Sequence, residues 1–180
     1  MKTFFPNIAF LVSALEGDDA WDADQQTDAF DQVLDGLLWW RRWVKVGFGF
    51  PLIYAPSCPR IATVDGNDGV KAVLDPLFRP PMTIYLGHRH KQPYGLAWRG
   101  DSIYLTYNYR DEMSGILQEL RSVSAHEFGH LIGMQNNNTG GGYSDVSHGV
   151  LTDIYNAPLK PNPVTLQQIR DAGIVDLKTG

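Results

Sequence analysis

Two segments with apolar residues at three- and four-residue spacing bracket a run of short β-rich pieces, and this order leaves few folds open. Residues 22–46 carry Phe30, Val33, Leu34, Leu37, Leu38 and Val44 along one stripe, which is the pattern of an amphipathic helix. Asp22, Asp24 and Thr27 offer capping oxygens and negative charge near its start. The adjacent Trp39 and Trp40 cannot both point along the centre of that stripe, so one is expected under a sheet and the other over a neighbouring edge. A second helix is predicted over 111–133. Ile116, Leu117, Leu120, Val123 and Leu131 form its buried side, Glu112, Glu119 and Arg121 face water, and Gly133 stops it. Helix, strands, helix in that order points to an α+β domain.

Between the helices, residues 46–54, 82–86 and 102–107 have strand composition, rich in Ile, Tyr, Leu and Thr. Residues 60–64 are predicted as a short strand ending at the turn signal 65–69, while 70–78 is equally compatible with helix and loop. Residues 94–98 form a further extended piece bounded by Pro93 and Gly100. At the N-terminus, 8–13 is predicted as the first strand. A signal-peptide reading is weaker there, because Pro6 and Asn7 interrupt the apolar run and no small-x-small cleavage site follows. Beyond Gly133, residues 136–142 are too polar and glycine-rich for regular structure, and a last short helix is expected over 165–172.

Composition narrows the function. Apolar residues make up 43% and charged residues 19% of the 180, enough to build a core without disulfide staples. The single cysteine, Cys58, permits no internal disulfide and no thiolate metal cluster. A net charge of −5 argues against a nucleic-acid partner held through phosphates. No window reaches the roughly 18 to 20 apolar residues needed to span a bilayer.

The chemistry concentrates in His126-Glu127-Phe128-Gly129-His130. Residues four apart on a helix lie one above the other, so His126 and His130 converge as a clamp for a transition metal. Zn2+ is the cofactor expected, because it lowers the pKa of bound water towards neutrality. Glu127 lies beside the metal, placed to take the water's proton and later return it to a leaving amine.

The run His126-Glu127-Phe128-Gly129-His130-Leu131-Ile132-Gly133 resembles the opening of the metzincin zinc-peptidase signature. The resemblance covers most of the chain as a layout and eight residues as a close motif. It implies a metzincin-like fold in which a mixed, twisted sheet packs on the long N-terminal helix and the catalytic helix. It also implies a single catalytic domain over 1–180, with 1–133 as the upper part and 134–180 as a small irregular lower part. The implied activity is that of a zinc endopeptidase, a hydrolase acting on peptide or protein, and family habit implies secretion, with a cytoplasmic location left open.

Two positions depart from the family pattern. The third ligand normally follows the glycine by three residues, and Asn136 stands there; a neutral amide is a poor zinc ligand. His148 is the expected replacement, brought round by the Gly140-Gly141-Gly142 stretch, with Asp145 and Asn136 as alternatives and Asp153 a further carboxylate downstream. The methionine turn is matched best by Gly149-Val150-Leu151-Thr152, where Leu151 is a tolerable apolar substitute. No glutamate follows Glu127, which excludes a thermolysin-like ligand set.

Weaker features complete the picture. Tyr155 resembles a carbonyl-polarising tyrosine of some metzincins, at a spacing two residues too long. His88 and His90 would share one face of a strand, as a metal pair or as a solvated strand end. Residues 94–99 correspond to the edge strand that pairs with extended substrate in the resembled family, and Tyr107, Tyr109 and Val123 are candidates for a hydrophobic specificity pocket. Two other functions compete with the peptidase: a degenerate relative that binds peptide or protein without cleaving it, and a structural domain with an accidental motif. Oligomeric state is not legible.

Overall fold

The computed structural model describes residues 1–13, 21–43, 45–59, 61, 64, 66–88, 95–98, 101–107 and 120–131. In chain order the elements are strands β1 (Lys2–Phe4), β2 (Asn7–Phe10) and β3 (Val12–Ser13), helix α1 (Ala23–Trp43), and strands β4 (Val46–Phe48), β5 (Ile53–Tyr54) and β6 (Ser57–Cys58). Helix α2 (Gly66–Leu74) follows, running into a 3₁₀ turn at Asp75–Leu77. Strands β7 (Thr83–Gly87), β8 (Gly95–Trp98) and β9 (Ser102–Thr106) then lead to helix α3 (Leu120–Leu131). The protein is an α+β fold built on a mixed sheet.

Five strands form the central sheet in the order β5-β2-β7-β9-β8. The first four run parallel, and β8 closes one edge antiparallel to β9, with Gly95 opposite Leu105 and Trp98 opposite Ser102. The two stretches predicted as single strands, 8–13 and 46–54, are each broken. Residues 2–13 and 46–58 lie side by side as three short parallel pairs, β1 with β4, β2 with β5 and β3 with β6. Pro6, Pro51 and Pro56 stand at or beside the breaks, where a missing N–H interrupts a ladder. Bonds from Gly49 N to Phe4 O (2.9 Å), Ile8 N to Leu52 O (2.9 Å) and Val12 N to Pro56 O (3.0 Å) carry the pairing across them.

Both faces of the sheet are covered, so its central strands are buried at every position rather than alternating. On one face Ile8, Phe10, Ile84, Leu86, Ile103 and Leu105 pack against α1 and α3. On the other, Ala9, Tyr85 and Tyr104 meet Val70 and Leu74 of α2. The segment left open between helix and loop is therefore helical, and the turn signal at 65–69 marks its entry. Gly66, at a φ of 71°, supplies the left-handed backbone there. Of the strand expected over 60–64, residues 60, 62 and 63 lie outside the described residues; Ile61 is a buried apolar contact whose carbonyl accepts from Val64 N at 2.9 Å.

The two long helices meet closely. Gly36 of α1 stands where a β-carbon would overlap Ser124 Oγ and the Arg121 carbonyl of α3. Gln32 Oε1 accepts the Leu120 N–H at 3.1 Å, satisfying a backbone donor in the first turn of α3 as the structure describes it. No helix among the described residues is long and apolar enough to cross a membrane.

Candidate metal centre

Helix α3 carries the predicted clamp, and its setting is rigid. Phe128 is fully buried, its ring 5.1 Å from Phe4, 5.1 Å from Phe48 and 5.8 Å from Trp40 between centroids. Both adjacent tryptophans are buried, Trp40 completely, and their rings meet edge-on. Leu120, Val123 and Leu131 are buried as the periodicity requires.

His126 is buried and His130 half-buried. Their Nε2 atoms face each other at 3.0 Å, with the ring planes at 89°. A tetrahedral zinc bound at about 2.0 to 2.1 Å holds two imidazole nitrogens about 3.3 Å apart. The observed separation is that of an N–H···N hydrogen bond between the rings, and opening it by about 0.3 Å would let the two side chains fit the ion the motif implies. Zinc is the first choice for two imidazoles with no thiolate in reach. Among the described residues no group of three or more His, Cys, Asp or Glu side chains gathers around one point. The candidates for a third ligand, His148, Asp145, Asn136 and Asp153, lie outside the described residues, as do Leu151, Tyr155, His90 and Tyr109.

Glu127 is 5% exposed, and burial alone pushes its carboxyl up to about 8. Without a cation beside it, the side chain is therefore held protonated at neutral pH; a divalent ion nearby reverses that preference. Its carboxylate stands against the edge strand. A β-carbon built on Gly95 would lie 2.5 Å from Glu127 Oε1. Strand β8 thus runs directly alongside the motif, antiparallel on β9 and with its other edge unpaired among the described residues.

His88 is not a solvated strand end. It is buried, its ring 4.9 Å from Trp21 and 5.9 Å from Tyr107. Tyr107 belongs to this aromatic group too: its hydroxyl donates to Asp28 Oδ2 at 2.6 Å, and burial together with that carboxylate raises its pKa to about 12. Val123 is buried beside Gly95, in the core cluster against which Tyr107 also packs.

Sequence reasoning did not single out Gly36, Trp40 or Gly95 as residues that set the site. A glycine inside a helical pattern and another inside a strand pattern were the available signals, since each commonly marks a close approach.

No protein-family model matches the chain, and no curated protein matches its sequence. Among solved structures the chain is similar to one titled "Structure of a chaperone-substrate complex", at a TM-score of 0.49 and 12% identity. That likeness covers 77% of this chain and 25% of the other, so the chain spans about a quarter of the length of the protein it matches.

Proposed function

We propose that the chain is a zinc-dependent endopeptidase with a metzincin-like fold, in which His126 and His130 hold the metal and Glu127 transfers protons. The observation that carries this reading is the 3.0 Å approach of the two Nε2 atoms. The ligand set would be completed by His148, with Asp145 and Asn136 as alternatives. Zinc, when bound, supplies a Lewis acid that acidifies water and polarises a carbonyl.

The remaining work falls to the protein's own residues. Glu127 accepts the proton of the attacking water at its carboxylate and returns it to the departing amine nitrogen. Its burial removes competing solvent and strengthens its interactions with charge that develops nearby. The side of β8 that is unpaired among the described residues offers backbone N–H and C=O groups to an extended peptide, which would lie in register beside Glu127. Substrate is then held by its backbone, with the scissile bond set by distance along the strand.

Hydrolysis of a fluorogenic peptide library and of casein by the zinc-loaded protein tests this. Turnover should be abolished by chelator, and Glu127→Ala should lower it by about 10² to 10⁴. Zinc binding without turnover on any substrate would instead favour a peptide-binding relative that has lost catalysis, a reading motivated by Asn136 at the family's third-ligand position.

A further inference from the structure

The glycine that opens β8 has no conformational reason to be there. Among the described residues Gly66 is the glycine with positive φ, whereas Gly95 lies in ordinary extended strand, paired opposite Leu105. Glycine in such a position weakens a strand, because it orders a flexible residue and packs no side chain. What position 95 does require is space. A β-carbon there would fall 2.5 Å from Glu127 Oε1, 2.6 Å from Val123 Cγ1 and 2.8 Å from Glu127 Cγ, all well inside the roughly 3.5 to 4.0 Å at which carbon contacts turn favourable.

We propose that Gly95 is a positioning residue for Glu127, its missing side chain being what allows the carboxylate to stand directly beside the substrate-binding edge. The proposal rests on the reading of Glu127 as the proton-transfer group. Its logic is one of which neighbour yields. Helix α3 is held from behind by Trp40, Phe4 and Phe48 around Phe128 and by the close approach at Gly36. Strand β8 is held by its ladder to β9, and Ala97 on the same face packs into the core. Val123 is buried and β-branched, so its side chain has few rotamers to use. The contact with Val123 Cγ1 is relieved by a small shift of β8, while the Glu127 side chain, with three rotatable bonds, is the part that moves furthest. A displaced carboxylate loses its placement relative to the His126 and His130 nitrogens, and misplacement by about 1 Å is enough to cost about 10²-fold in rate.

The test uses the full chain as wild type, Gly95→Ala, Glu127→Asp and the double variant. Zinc affinity is measured by competition with a chromophoric chelator, metal-free stability by urea unfolding, and kcat and KM on the fluorogenic peptide library. Gly95→Ala should lower kcat by about 10-fold or more while leaving zinc affinity and KM within about 2-fold, and should lower the urea midpoint. In the Glu127→Asp background, where the carboxylate is one methylene shorter, the same substitution should cost less in both midpoint and kcat. Additive midpoints together with a wild-type kcat for Gly95→Ala would overturn the proposal. A wild type that binds zinc and turns over nothing, while positions 95 and 127 still couple in unfolding, would overturn the peptidase reading alone and leave Gly95 setting the place of Glu127.

Discussion

The indole nitrogen of Trp40 donates a 2.8 Å hydrogen bond to the carbonyl of Ala125, the residue immediately before His126. One side chain of α1 therefore fixes the height of the helical turn that carries the motif. Trp40→Phe removes the bond but keeps an aromatic ring against Phe128. It should cost about 1 kcal/mol for the bond plus the smaller ring's lost packing. Trp40→Ala should cost about 3 to 5 kcal/mol. Urea unfolding of the metal-free protein reads both, and wild-type stability for Trp40→Phe would show that the bond contributes nothing, since both variants lack the indole donor.

Gly36 sets two principles against each other. Alanine is the better helix former by about 1 kcal/mol, yet a β-carbon at 36 meets Ser124 Oγ and the Arg121 carbonyl. Overpacking of this kind typically costs about 1 to 3 kcal/mol, and one of the two neighbours is backbone that cannot rotate away. Gly36→Ala should therefore destabilise the protein despite its propensity. A raised melting temperature would contradict the close helix crossing.

Zinc should stabilise the folded chain by mass action, by about 2.7 kcal/mol at a free concentration 100 times Kd. His126→Ala and His130→Ala should each abolish most of that increment. His88→Ala should lower the starting stability, since His88 is buried against Trp21 and Tyr107, but should leave the zinc-induced rise intact. Differential scanning calorimetry with and without zinc checks all three variants.

The buried Glu127 gives the metal-free protein a distinctive pH dependence. Its carboxyl is pushed from 4.5 up to about 8 in the folded state, so between these values the native protein binds more protons than the unfolded chain. Stability then falls as pH rises through that window, by an amount on the order of a few kcal/mol in total. Glu127→Gln should be the more stable protein above pH 8 and should lose that part of the slope. Urea midpoints between pH 4 and 9 measure the difference between the two proteins.

The legible parts of the fold are those set locally. Val33 and Leu37 mark the buried side of α1 because helix period and core burial agree there. The spacing of His126 and His130 sufficed to bring their nitrogens together, since four residues make about one turn. The strands were harder. Asn7–Phe10, Thr83–Gly87 and Ser102–Thr106 are buried on both faces, so they carry no alternation, and their order in the sheet is a tertiary property. Gly66–Leu74 was obscured because its polar, glycine-rich opening reads as a turn, while Val70 and Leu74 commit it to a helix only once the sheet is present to cover them. The support of the site was least legible, because the neighbours of Gly95, Gly36 and Trp40 are about 30 to 90 positions away in the chain.

The central claim is that His126 and His130 grip a zinc ion. An anomalous difference map from zinc-loaded crystals, collected at the zinc absorption edge, tests it most directly. The account predicts one strong peak about 2.0 to 2.1 Å from both Nε2 atoms, with a third protein ligand from His148, Asp145 or Asn136. Featureless density between the two rings at full zinc loading, with each imidazole engaged by other protein groups, would contradict it.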